Sequence, residues 1–578
     1  SKTPTKMKTN RIFRRIGRLT AMGATLAAVA CTGSFEEYNT KPYRPSDEDL
    51  EGDNVGVGIL FPSMMEWMMH VQVNASQYHD VLLGDELGGY ASAVKSYQGQ
   101  NIATYNPSDD FNDPLFENTF SNFYGNYFQI MTETGGEGPV YELSRIIRVA
   151  SMLRVTDAYG PIPYSKMQNG TFSVPYDSQR DVYMAMIDDL DEAMESLHTF
   201  AAAGGGSLLS DFDISTYKGD VSLWIQFANT LKLRMAIRMS GVEPEAQRIA
   251  EEAVAAIDTY GLIDANAENL QFTLTSRRNP YYTQATSESW QDLRSNANIT
   301  MYMNAYEDPR RSSYFSKSGY DETYAGVRSG IENVLPTTYA SFSYPLFAET
   351  DPVPVMYAAE SWFLRAEGAL LGWAMGDTPE NLYNTGVKTS FEQWGCSSSY
   401  EGYIASTLTP RLAYTDPAGK HDQPNFGQAV SVKWADDGHE LERIITQKWI
   451  ANHMIGHEAW ADFRRTGYPR MMMAVNNLGA AGGMWGSVDG DRGMRRLHYP
   501  QSEYDNNREN VLGGIQLLGG PTNTPPTYGG PRNRTDTRTE KTPFHEKEHH
   551  RLSALLLARL RSQPATTGPN PKRRTSRS

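Results

Sequence analysis

Hydrophobic residues make up 39% of the 578-residue chain, aromatic residues 11% and charged residues 21%, a globular composition that excludes a wholly disordered, collagen-like or fibrous protein. The mean hydropathy is -0.53 and only one apolar run approaches membrane length, which excludes a multi-span transporter. The formal net charge of -15 is uneven: residues 1–30 carry +7, residues 521–578 carry +8, and the body from 31 to 520 carries -30, a field that repels nucleic acid and sets aside DNA or RNA partners.

From Met7 the chain has a basic stretch containing Arg11, Arg14, Arg15 and Arg18, then a twelve-residue apolar or small-residue run from Leu19 to Ala30. A short apolar helix behind a positive end is the layout of a secretory signal peptide, and the run is too short for a comfortable permanent anchor. It ends at Ala28-Val29-Ala30-Cys31, so residues 1–30 are expected to be a lipoprotein-type signal peptide with Cys31 as the lipid attachment site. An ordinary signal-peptidase site after Ala30 is the competing reading. The other cysteine, Cys396, is expected to be a small buried hydrophobe.

Residues 31–53, rich in Asn, Pro, Ser and acids, read as a lipid-anchored tether. Residues 54–520 then show helical periodicity. Leu143, Ile146, Ile147, Ala150 and Leu153 share one face of 141–155; Tyr183, Met186, Ile187, Leu190, Met194 and Leu197 share one face of 178–197; Trp224, Phe227, Ala228, Leu231 and Met235 share one face of 221–239. Ser178 through Asp181 looks like a capping box. Further helices are expected over about 55–79, 112–133, 244–258, 355–374, 379–394 and 438–459. Three pairs (141–155 with 178–197, 221–239 with 244–258, 355–374 with 379–394) suggest a mostly α, degenerate TPR-like helix-pair scaffold. The stretches 260–350, 398–437 and 476–493 lose the period and read as long irregular loop excursions that form the ligand-facing side.

Several strings stand out in order: Asp157-Ala-Tyr-Gly-Pro-Ile-Pro-Tyr164; Tyr217-Lys-Gly-Asp220 with Trp224 and Phe227 through Arg234; Glu360, Glu367 and Gly372-Trp373; Gln447-Lys-Trp-Ile450, then Glu458-Ala-Trp460 and Arg464-Arg-Thr-Gly-Tyr-Pro469; and Tyr499-Pro500 with Ser502-Glu-Tyr504. Their order and spacing, together with the Cys31 lipobox, resemble the SusD/RagB family of outer-membrane nutrient-binding lipoproteins. Read from the residues alone, the prolines after Asp157 end a helix, and Arg464-Arg465 beside Glu458 and Asp462 forms a structural ion-pair cluster. These strings mark a fold rather than a catalytic site.

Chemical motifs are sparse. His453 and His457 at i, i+4 on one helix lack the intervening glutamate of a zinc protease, and Asp489-Gly-Asp491 lacks the twelfth-position ligand of a calcium loop. No nucleophile elbow, Walker loop or dinucleotide fingerprint is present in the sequence, so no catalytic residue, metal site or cofactor is assigned. Paired acids such as Asp109/Asp110 and Asp211/Asp213 are common in an acidic chain and do not indicate glycoside hydrolysis.

What remains is a supply of 33 Tyr, 21 Phe and 10 Trp. Flat rings stack on apolar sugar faces while Asn and Arg bond hydroxyls, so the ligand-binding candidates outside the helix stripes are Tyr90, Tyr97, Trp290, Arg294, Asn296 and Tyr320, with Tyr105 and Tyr339 as further rings. The segment Asp85 to Tyr90 resembles a ligand-facing family segment. The resemblance implies an outer-membrane, surface-exposed lipoprotein that binds nutrient oligosaccharide, or peptide, without catalysis and delivers it to a SusC-like TonB-dependent transporter. A secreted helical glycoside hydrolase and a TPR-like envelope assembly scaffold are the alternatives. Past Leu518-Gly519-Gly520 the chain departs from the family's pattern, and the basic tail 521–578 reads as frameshifted or disordered.

Overall fold

A computed structural model describes residues 55–97, 100–171, 173–286, 290–320, 323–481 and 487–518. Residues 1–30, expected to be a signal peptide, Cys31 and the expected tether to residue 53, and the basic stretch 521–578 lie outside the described residues.

The principal helices are α1 (Pro114–Thr134), α2 (Pro139–Tyr159), α3 (Gln179–Ala202), α4 (Val221–Arg238), α5 (Ala246–Ala255), α6 (Ala297–Ala305), α7 (Ala358–Leu370), α8 (Pro379–Gln393), α9 (Glu440–Ala451), α10 (Gly456–Thr466) and α11 (Arg508–Leu517). Their starts follow local chemistry. Proline opens α1, α2 and α8, where its missing N–H is no loss. Ser178 caps α3 by accepting from Asp181 N at 3.1 Å, and Asp220 caps α4 by accepting from Ser222 N at 2.9 Å and Leu223 N at 3.1 Å. After α2, Gly160 turns the chain with φ 89° and Ile162 bridges Asp177 in extended conformation, as the two prolines of this segment require.

The chain is mostly α, and α2 packs on α3, α4 on α5, and α7 on α8, the three pairs expected from periodicity. Strands are short and paired in twos: β1 (Ala91–Ala93) with β3 (Leu293–Ser295), β2 (Leu270–Phe272) with β4 (Val353–Met356), and β5 (Arg411–Tyr414) with β6 (Gln423–Gln428), all antiparallel. A large apolar core runs through the helices, and a smaller one gathers Val94, Ala325, Val327, Val334, Tyr339 and Phe342 beneath the loops. No helix among the described residues is long and apolar enough to cross a membrane.

Between the helices lies a buried ion-pair network. On α4, Arg234 and Arg238 stand one turn apart; Arg234 grips both oxygens of Glu360 on α7 at 2.7 and 2.8 Å, and Arg238 bonds Asp157 on α2 and Glu458 on α10. Arg465 pairs with Glu367 and with Asp462, and Lys448 on α9 reaches Asp462 at 2.8 Å. Arg464 takes another course, lying over the Trp460 ring at 3.7 Å and donating to the carbonyl oxygens of Asp157 and Arg495. The repeated Arg, Glu and Asp positions of the sequence thus lock five helices together at fixed register.

Two expected helices differ. The 55–79 stretch forms short turns, Val55–Gly58, Phe61–Met65 and Val73–Ser76, and then a π-helix over Gln77–Asp85. The break lies where His70 N is drawn to the Asp80 carboxylate at 3.2 Å, a carboxylate also held by Arg154. The 438–459 stretch divides into α9 and α10, so His453 and His457 do not share a helix. Gly456 explains the division: a Cβ there would meet Asp85 N at 2.2 Å, so the chain approaches the π-helix backbone too closely for any side chain. His453 stacks on Tyr314 at 4.2 Å, and burial pushes its imidazole down to about 3. Cys396 is half-buried rather than sealed, with its thiol near the Trp394 carbonyl at 3.4 Å.

Candidate ligand-binding face

The β1–β3 ribbon organises the sequence-predicted site. Its register pairs Ala91 with Ser295, Ser92 with Arg294 and Ala93 with Leu293, and Val94 N continues the ladder to Asp292 O at 2.9 Å. Tyr90, Arg294 and Asn296 sit along the ribbon or at its inner end, and Tyr97 and Trp290 lie beyond its outer end.

The inner three are framework, and their expected ligand contact is corrected. Tyr90 is 0% exposed; its hydroxyl donates to Trp449 O at 2.6 Å and its ring stacks on Trp449. Asn296 is equally sealed, caps α6 through Asn298 N at 2.8 Å and donates to Ser92 and Ser329 hydroxyls at 2.9 and 2.7 Å. Arg294 is 2% exposed, and its guanidinium donates to the carbonyls of Leu293, Tyr339 and Ala340. A ring with no exposed face cannot stack on a sugar. Asn296 carried a readable signal, an N-cap residue directly before a helix.

The outer residues differ. Tyr97 is half-buried with a left-handed backbone (φ 43°), and its hydroxyl accepts from Gln77 Nε2 at 3.2 Å. Burial pushes its phenol up, so it stays a neutral hydrogen-bonding group. Its ring meets Phe111 edge-to-face at 5.2 Å, and Phe111 stacks on Tyr78 at 5.5 Å and 19°. Tyr78 is 37% exposed, the most open ring of the three. Beside them the Lys95 ammonium stands 3.0 Å from the Asp292 carboxylate, which also accepts from Gln77 at 2.8 Å. Trp290 is half-buried, and its backbone N–H donates to Thr283 O at 3.1 Å. Tyr320, also half-buried, rests edge-to-face on Phe342 at 5.4 Å, over the small core that holds Val94.

Tyr78 and Phe111 were missed because each lies in or next to an apolar, helix-like stretch, where rings read as core. Tyr105 and Tyr339 are buried and act as support. Asp109 and Asp110, directly before Phe111, are exposed, whereas other acids are engaged structurally. Asp213 accepts from Ser215 N, Gly219 N and the Trp224 indole at 2.7, 2.7 and 2.8 Å, fixing the turn before α4. Glu86, pushed up to about 7 by burial, is 4% exposed and holds β1 through Ala93 N at 2.7 Å. The arrangement offers partly open rings, an ammonium and phenolic hydroxyls, groups that suit sugar binding.

The model of a family described as SusD-like, Susd and RagB outer membrane lipoprotein, matches residues 37–528. Among solved structures, the chain is similar to a SusD homolog from Bacteroides uniformis ATCC 8492 (38% identity, TM-score 0.74, covering 82% of this chain and 98% of that one). It is similar to a chitin-binding SusD homolog from Flavobacterium johnsoniae (36%, TM-score 0.75, 82% and 97%). It is also similar to a SusD-like protein from Bacteroides thetaiotaomicron VPI-5482 (37%, TM-score 0.76, 82% and 99%). Among curated proteins no relative matches.

Proposed function

The chain belongs to the SusD-like family of outer-membrane lipoproteins, and from that premise we propose that it is a surface-exposed receptor, lipid-anchored through Cys31, that captures nutrient oligosaccharide and passes it to a SusC-like TonB-dependent channel. It acts by binding, not by catalysis. The observation that carries this reading is the half-open wall of Tyr78, Phe111 and Tyr97 beside Lys95 and Gln77. Trp290 and Tyr320, both half-buried, are the further rings this reading assigns to ligand contact. Stacking on such rings tolerates several sugars, while the exposed Lys95 ammonium supplies orientation and Gln77 holds Tyr97 in place. Anchoring beside the channel raises the local ligand concentration that the channel meets, so modest affinity suffices.

The chitin-binding homolog makes chitin oligosaccharide the first ligand to test. Substitution of Tyr78 and Tyr97 together by alanine is expected to weaken chitohexaose binding by roughly tenfold or more, about 1.4 kcal/mol, with the unfolding midpoint nearly unchanged because both rings are partly solvated. Titration calorimetry reads the first quantity and thermal unfolding the second. Unchanged affinity in the double variant would move the site away from this wall.

A further inference from the structure

A second recess lies between the β5–β6 hairpin, the end of α10 and the segment that follows it. It has a volume of about 440 Å³, and its lining includes Arg328, Arg470, Phe426, Phe463, Met473 and Asp491. The two arginines are not equivalent. Arg470 is held by Glu442 at 2.9 and 3.1 Å and is half-exposed. Arg328 has no carboxylate within ion-pair distance among the described residues: Nη2 donates to Met473 O at 3.1 Å, Nη1 to His421 O at 3.5 Å, and Nε is buried without a partner.

Its backbone is fixed. Val327 bridges Asn296, and Ser329 receives the Asn296 amide at 2.7 Å and bonds Val475 N through its carbonyl at 2.9 Å. Asp416 acts on this guanidinium from beyond ion-pair distance and burial outweighs it, so a rigidly held cation bonded only to carbonyls stands undercompensated at the wall of an open recess. The helix-embedded cations Arg234, Arg238 and Arg465 all face carboxylates. The opposing charge in the recess is Asp491, which is exposed and whose N–H is turned to Asp489 at 2.8 Å. The Phe and Met side chains supply apolar surface for a sugar ring.

We infer that this recess is a second glycan subsite, selective for a sugar bearing an anionic group, with Arg328 as the charge-recognising residue and Arg470 as its flanking donor. The inference rests on the glycan-receptor reading and adds to it a ligand class, acidic glycan. Planar guanidinium donors match a carboxylate or sulfate in two-point geometry, and in a body of charge -30 such a ligand needs local cations to be retained.

The test is calorimetric titration of the full-length chain, made lipid-free by Cys31→Ala, with tetragalacturonate, with its carboxyl-reduced neutral counterpart and with a sulfated galactose tetrasaccharide. Tetragalacturonate is expected to bind roughly tenfold tighter than the neutral form, with the difference shrinking as salt rises. Arg328→Gln is expected to erase the preference and Arg328→Lys to retain part of it. Equal preference for the sulfated sugar makes the subsite one for anions generally; preference for the uronate alone makes it a carboxylate site. Equal binding of acidic and neutral tetrasaccharides by the unsubstituted chain overturns the inference, as does a preference that survives Arg328→Gln. Chitohexaose binding at the Tyr78–Tyr97 wall is the separate readout for the receptor reading, so either can fail alone.

Discussion

Arg238→Ala is expected to lower the unfolding free energy by about 3–5 kcal/mol, because it strands the buried Asp157 and Glu458 carboxylates at once. The side chain is 6% exposed and joins α4 to α2 and α10, so solvent cannot replace it. The matched control is Arg248→Ala on α5, whose partners Glu245 and Glu252 lie on an exposed surface; its cost is expected to stay under about 1 kcal/mol. The penalty at Arg238 depends on pH with a definite sign. Burial raises the Glu458 pKa, but Arg234 and Arg238 outweigh burial and hold the carboxyl at about 2, below its ordinary 4.5. A group with a depressed folded pKa contributes fully above pH 4.5 and loses that contribution as pH falls towards 2. The gap between Arg238→Ala and the unsubstituted chain therefore narrows in acid. Denaturant unfolding at pH 7 and pH 3 measures both; equal costs for Arg238→Ala and Arg248→Ala at pH 7 would contradict the network's role.

Cys31→Ala is expected to move the protein from the membrane pellet to the soluble fraction when expressed without a SusC-like channel. Two acyl chains on the cysteine hold a protein far more firmly than one, and no helix among the described residues offers a substitute anchor. After a high-salt wash, which screens any adhesion of the +8 stretch 521–578 to anionic lipid, the loss should be nearly complete. Retention of Cys31→Ala with outer membrane after a high-salt wash would remove the lipid anchor from the account.

The scaffold was legible in the sequence wherever one stripe of apolar residues faced one neighbour, as in α3 and α8. Legibility failed where tertiary contacts overrode local pattern. His70 is pulled from a helix by Asp80, and Gly456 breaks what reads as a single helix because the π-helix crosses it. The site shows the same division. Tyr97, Trp290 and Tyr320 fall in irregular segments, where an aromatic residue stands out, and they are half-open. Tyr90 and Arg294 stand in equally irregular sequence, but their burial comes from pairings distant in the chain, with Trp449 and with the 339–340 turn. Tyr78 is hidden in the opposite way, by an apolar neighbourhood that resembles core.

Capture without chemistry is tested most directly by titrating the purified full-length Cys31→Ala chain with chitohexaose and then chromatographing the recovered sugar. Saturable binding with the hexasaccharide returned intact is the predicted result. Shortened products that vanish with a single carboxylate substitution, or no heat with any oligosaccharide at millimolar concentration, would contradict it.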